Sequence, residues 1–254
     1  TSIFGWMEPN HFDQEAANFL LERAKNNVGL ILPGIAPIRD TLGGKWLYQN
    51  KKKFEELKVF MDEFHKTGAK MFIQLTAGMG RAMAVNDLMV KLIKNKALGT
   101  IAKPIFDMDY ICASASATPN RWADDVYSRP LTVAEIHQIV EAFAKTAKLC
   151  MDAGVDGIEV HAVHEGYMLD QFTMKYTNQR TDEYGGSFEN RYRFPVEIVT
   201  AIKESCGKDF PVSLRYSVVS KTKGFRQGAV PGEDDFIEVG RDMEESEKAA
   251  KLFQ

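Results

Sequence analysis

The chain has 254 residues, of which 44% are hydrophobic and 26% charged, with a formal net charge of −3. That balance is ordinary for a globular protein and excludes the strongly basic face a nucleic-acid partner requires. No apolar run approaches the roughly 18 residues of a membrane-spanning helix. Neither nucleic acid nor membrane is therefore expected as a partner.

Amphipathic and strand-like stretches alternate along the chain. The first helical stretch, Phe12 to Asn26, places Phe12, Ala16, Phe19, Leu20 and Ala24 at helical spacing. A β-rich run follows, Val28-Gly29-Leu30-Ile31-Leu32, ending in Pro33-Gly34. Phe54 to His65 repeats the helical pattern with Phe54, Leu57, Phe60, Met61 and Phe64, and leads to the run Lys70 to Leu75. Thr132-Val133-Ala134-Glu135 reads as a capping box opening a helix to Ala153, with Ile136, Ile139, Val140, Phe143, Ala147 and Cys150 inward. The run Gly157 to His161 comes next, then a helix over Phe188 to Glu204, the run Pro211 to Arg215, and a last helix beginning near Asp242.

These runs are apolar almost to their last residues, as in parallel strands covered on both faces. Their alternation with helices predicts βα units, hence a parallel barrel or a doubly wound sheet. Three long excursions, about 76–130, 162–186 and 217–232, each follow the carboxyl end of a strand. Loops that grow on that face alone favour a TIM barrel with its site there. The expected fold class is thus α/β, a (β/α)8 barrel over residues 1–254. The four runs found are about strands 2–5 of the eight, with one expected before Thr1 and about three after Gln254.

Chemistry is expected at the strand ends, where Gln74, His161 and Arg215 stand. His161 and His164, with Tyr167 close behind, could bind a developing oxyanion and supply a proton. The His-x-x-His spacing could instead hold a metal, although no third ligand stands at a recognisable distance in sequence. Arg215 could form a buried salt bridge or face an anion or an electron-rich ring. Ala77-Gly78-Met79-Gly80-Arg81 is glycine-rich but opens no helix in the Rossmann manner. The charge-dense segment Thr177 to Arg191 is read as scaffold, with Ser187 capping a helix and Arg180, Asp182 and Arg191 pinning the loop. Cys112, Cys150 and Cys206 are widely spaced and fit a reducing, cytoplasmic setting.

Taken together, His161-x-x-His164, Gly166-Tyr167, Arg180 to Ser187, Glu189-Asn190-Arg191 and Leu214-Arg215-Tyr216-Ser217 resemble the old yellow enzyme family of NADH:flavin oxidoreductases. Phe72-Ile73-Gln74-Leu75 with Gly78-x-Gly80-Arg81, and Val28 to Ile31 with Gly34, are similar to its second and third strands. Glu165-Gly166-Tyr167 and Pro119-Asn120-Arg121-Trp122 resemble its branch of clostridial 2-enoate reductases and bacterial 2,4-dienoyl-CoA reductases.

The resemblance implies a TIM barrel carrying FMN, with NAD(P)H as reductant and an unsaturated carbonyl compound as substrate. It assigns cofactor contacts to Gly34, Gln74 and Arg215, the substrate oxygen to His161 and His164, and proton donation to Tyr167. Glu165 departs from the commoner family spacing, setting Tyr167 six residues after His161 instead of five. A 4Fe–4S cluster and an FAD module are expected in the full-length protein, with no ligands in this stretch, and a homo-oligomer is expected. The competing functional readings are another FMN dehydrogenase, of the amine type, and a non-catalytic scaffold.

Overall fold

The computed structural model describes residues 12–40, 44–123, 125–163, 167–233 and 235–254. The chain begins with α1 (Gln14–Lys25), β1 (Leu30–Ile31), β2 (Ile35–Pro37), α2 (Lys51–Phe64) and β3 (Lys70–Thr76). Next come α3 (Asp87–Lys94), α4 (Lys96–Ala102), α5 (Met108–Ile111), β4 (Ala113–Ser114) and β5 (Arg129–Pro130). They are followed by α6 (Val133–Asp152), β6 (Gly157–Val163), α7 (Met168–Thr173), α8 (Phe188–Cys206) and β7 (Val212–Tyr216). The chain closes with β8 (Thr222–Gly224), β9 (Gln227–Gly228) and α9 (Met243–Leu252).

Two compact units share the chain. The first comprises the stretch through Gly78, His137–His161 and Glu197–Arg215; the second comprises Met79–Ile136, Ala162–Val196 and the chain from Tyr216 on.

The first unit holds the main sheet, in the order β1-β3-β6-β7, with β2 also on β3. The pairings of β1, β2 and β6 with β3 are parallel, with Phe72 opposite Gly157 and Gln74 opposite Glu159. One sheet face is apolar and fully buried through Met71, Ile73, Leu75, Ile158 and Val160. The helices bury their own stripes: Ala16, Ala17, Leu20 and Ala24 on α1, and Phe54, Leu57, Phe60, Met61 and Phe64 on α2. On α6, Ile139, Phe143, Ala147 and Cys150 are buried as the spacing predicts. Phe19 is an exception: Ala17 takes the inward position, and Phe19 lies half-exposed under the Arg23 guanidinium, 3.1 Å from its ring centroid.

At the amino-terminal end of the sheet, Asp156 accepts from Lys70 Nζ at 2.9 Å and from the Met71 amide at 3.0 Å, and lies 2.8 Å from His65 Nε2. Burial alone would raise its pKa, but these bonds outweigh it and hold the carboxyl below its ordinary range. A clamp at this end of a barrel sheet serves stability.

The strand boundaries correct the sequence reading. The first strand does not stop at Pro33-Gly34; it breaks there and resumes as β2. Between Ile31, opposite Met71, and Ile35, opposite Gln74, one strand advances four residues against three. The extra residue is a bulge. The other runs also continue beyond the expected ends, β3 to Thr76, β6 to Val163 and β7 to Tyr216, because polar side chains facing a barrel interior do not end a strand.

The second unit is built from the long excursions, which carry structure of their own. The first of them contains α3 to β5, where Met83, Val85, Met89, Leu92, Ile93 and Phe106 pack on Met108, Ile111 and Cys112. The capping box at the start of α6 is present: Glu135 N donates to Thr132 Oγ1 at 3.2 Å, and Thr132 N donates to Glu135 Oε2 at 2.8 Å. Burial raises the Glu135 pKa, yet the two-pronged bond from Arg129, 2.9 Å on each arm, and the Thr132 contacts bring it down to about 2.

The Thr177 to Arg191 segment is scaffold as expected. Arg180 grips both Asp182 oxygens and donates to the carbonyls of Ala115, at 3.1 Å, and Leu131, at 2.6 Å. Ser187 Oγ accepts from Asn190 N, and Arg191 donates to the Thr173 and Gly186 carbonyls and to Glu245.

Gln171 is a second hub of this unit. Its Oε1 accepts from Arg81 N at 3.1 Å and Ser114 Oγ at 2.6 Å, while Nε2 donates to the Met79 carbonyl at 2.8 Å. Gly80 passes against it at φ +55, where a Cβ would stand 2.2 Å from Gln171 Oε1 and 2.9 Å from the Ala113 carbonyl. Gly80→Ala therefore combines left-handed strain with loss of buried hydrogen bonds, and should cost about 2–4 kcal/mol. Thermal unfolding checks this: the midpoint should fall by roughly 5–10 °C, and an unchanged midpoint would mean the close approach is not kept.

Candidate active site

The first unit gathers four of the six residues singled out from sequence. Side chains on adjacent parallel strands share a face at every second position. Gln74 Nε2 donates to Glu159 Oε1 across the β3–β6 pair, and Ser213 Oγ on β7 donates to Glu159 Oε2 at 3.4 Å. Gln74, Glu159 and Ser213 thus form one row on the face opposite the buried apolar one. Two residues further on, the same face carries Thr76, His161 and Arg215. The carboxyl ends of β3, β6 and β7 therefore present an amide, an imidazole and a guanidinium together.

Their environments differ. Gln74 and His161 are buried, at 3% and 1% exposure, whereas Arg215 is exposed. Among the described residues, Arg215 forms none of the buried salt bridges considered for it. Gly34 is buried in the bulge between β1 and β2, on the strand that pairs with β3. Below this row, Gly157 lies under Phe72: a Cβ there would come within 2.6 Å of Phe72 Cε1, so glycine is what admits the ring.

Tyr167 belongs to the second unit, where it immediately precedes α7 and is half-buried. His164 lies outside the described residues. Among the described residues, no group of three or more His, Cys, Asp or Glu is placed to hold a metal ion, and no helix is long and apolar enough to cross a membrane.

Glu159 is the residue sequence reasoning missed. The signal was available: Glu159 has the same parity as His161 in a strand whose other parity is wholly apolar. A carboxylate at such a position needs a donor, and the neighbouring strands supply two.

Residues 5–250 match the NADH:flavin oxidoreductase / NADH oxidase family. The chain belongs to this family. It is 40% identical over 249 residues to a cinnamate reductase of Clostridium sporogenes, covering 95% of this chain and 34% of that protein. The chain spans about a third of the length of that cinnamate reductase and of an NADH oxidase of Thermoanaerobacter brockii.

Among solved structures, an old yellow enzyme homologue from Zymomonas mobilis superimposes with a TM-score of 0.66 at 22% identity, over 95% of this chain and 61% of that one. A histamine dehydrogenase from Rhizobium sp. 4-9 gives 0.61 at 27% identity, over 82% of this chain and 28% of that one. The fold of this flavin oxidoreductase family member is accordingly the old yellow enzyme TIM barrel, with β1, β2, β3, β6 and β7 supplying part of its parallel sheet.

Proposed function

We propose that the full-length protein is a flavin-dependent ene-reductase that reduces a C=C bond conjugated to a carbonyl, carboxylate or thioester, using NAD(P)H. The row of Gln74, His161 and Arg215 on one sheet face of a family member carries the reading. The likeness to a cinnamate reductase supports the C=C bond as target.

The donor set suits FMN. Gln74 offers an amide whose orientation is already set by Glu159, matching the mixed donors and acceptors of a flavin pyrimidine edge. Arg215 places a fixed, accessible cation on the same face, where it would stabilise negative charge at N1 and O2. Gly34 would let the backbone approach the ring. When bound, FMN would supply hydride from N5 to the substrate β-carbon.

The protein's own groups do the rest. His161, buried on β6, and His164 would donate to the substrate carbonyl oxygen and stabilise the enolate-like charge. Such a donor is worth about 3 kcal/mol of barrier. Tyr167 would deliver a proton to the α-carbon. The reading extends to a 4Fe–4S cluster and an FAD module in the full-length protein, held by residues other than these. The working enzyme is proposed to be a cytoplasmic homo-oligomer.

Likeness to a histamine dehydrogenase favours a second reading, oxidation of an amine at the same barrel face. Two histidines suited to an oxyanion favour the first. Full-length protein purified without oxygen decides between them. The expected result is about one FMN per barrel and NAD(P)H consumption driven by an enoate such as cinnamate but not by amines. Amine-driven turnover would support the second reading, and absence of flavin would leave a non-catalytic scaffold.

A further inference from the structure

We propose that Glu159 is a positioning residue that sets which way the Gln74 amide faces and places a negative charge beside the pyrimidine half of the flavin site. The inference rests on the FMN reading above and deepens it.

The argument begins with chemistry. An amide side chain is nearly symmetric in shape, so its oxygen and nitrogen can exchange places unless a neighbour distinguishes them. An ionised carboxylate is such a neighbour, because it only accepts. Glu159 Oε1 accepts a hydrogen bond from Gln74 Nε2, and Oε2 accepts one from Ser213 Oγ at 3.4 Å. The contact is not incidental, since Gln74 and Glu159 are paired across the strands. Gln74 is only 3% exposed, where a misdirected amide would be costly.

With one N–H committed to Glu159, Gln74 is left a carbonyl oxygen and one N–H for a partner, in a fixed arrangement. Glu159 has a second effect. Its charge shares a sheet face with Arg215, two residues before the level of that guanidinium on the adjoining strand. It therefore opposes the accumulation of negative charge that Arg215 favours. The pair would trim the reduction potential of the bound flavin, with Arg215 raising it and Glu159 lowering it.

The experiment uses the full-length holoenzyme and measures the FMN dissociation constant and two-electron midpoint potential for wild type, Glu159→Gln, Glu159→Leu, Gln74→Ala and the double variant Gln74→Ala/Glu159→Leu. Glu159→Gln keeps an acceptor for Gln74 but removes the charge. It should hold FMN within about threefold of wild type while shifting the redox equilibrium about tenfold toward the reduced form, about +30 mV. Glu159→Leu should weaken FMN binding at least tenfold. Added to Gln74→Ala, it should weaken binding little further, because its effect on affinity runs through that amide.

Wild-type affinity and potential in both Glu159 variants would overturn the proposal, as would fully additive losses in the double variant. Should Glu159→Leu not fold, an unshifted potential in the nearly isosteric Glu159→Gln is enough to overturn it. Wild-type protein without FMN would instead sink the ene-reductase reading itself, so the two failures are distinct.

Discussion

Arg241→Met should destabilise the protein by about 3–5 kcal/mol, more than any other single change considered for the scaffold. Arg241 and Asp170 are both fully buried, and Arg241 Nη2 donates to Asp170 Oδ1 at 2.6 Å and to Thr173 Oγ1 at 2.6 Å. Its Nη1 donates to the Ser217 carbonyl at 2.8 Å, and its Nε donates to Tyr192 Oη at 2.8 Å. Tyr192 in turn donates to Glu245 Oε1 at 3.2 Å, a relay that needs its phenolic proton. Burial first, with Glu245 and Asp170 behind it, raises that pKa to about 12 despite the pull of Arg241.

Removing the guanidinium leaves the Asp170 carboxylate in the interior without its counter-charge, which is why the loss exceeds that of an exposed ion pair. Replacing both members, as Asp170→Leu/Arg241→Met, should recover part of the loss. Urea unfolding of the single and double variants is the check. A single variant within about 1 kcal/mol of wild type would show that the pair does not hold this unit together.

On the proposed ene-reductase reading, Tyr167→Phe should separate the two half-reactions. General acid catalysis by a placed side chain is worth about 10²–10⁴ in rate. The half-reaction with the alkene should slow by that order, while the half-reaction with NAD(P)H stays within about threefold. Anaerobic stopped-flow at the flavin absorbance reads each separately. If both fall together, Tyr167 supports the fold and not the proton transfer. Tyr167 is the residue before α7, at extended φ and ψ of −118 and 157, and its side chain does not cap that helix.

Much of the architecture was legible in the residues because burial follows period. The stripes of α2 and α6 and the near-continuous apolar strands led to a parallel α/β sheet. The capping box at Thr132 and Glu135 was legible because both bonds are local. What was less legible involves partners distant in sequence. Glu159 reads as an ordinary strand residue until Gln74 and Ser213, 85 and 54 positions away, are brought beside it. Arg241 likewise gave no sign of burial, since its partner Asp170 is 71 residues earlier. The strand ends were misjudged for a related reason. A barrel interior accepts polar side chains, so polarity at Gln74, His161 and Arg215 marks the inner face, not the last residue. At the site, four residues read from sequence meet on one unit, and the resemblance supplied roles that spacing alone left open.

The additional residue in the strand through Gly34 has a consequence for how this segment can change. Before it, Ile31 faces the same way as Met71; after it, Ala36 takes the side of Leu75, so odd and even positions exchange sides. Loss of a single residue between Leu32 and Gly34 would turn the bulge into regular strand and leave Ala36 and Ile38, both fully buried, on the side they already face. Shortening by one residue here is thus compatible with the sheet, and what it would remove is the displaced backbone at Gly34 and not the register of the residues that follow.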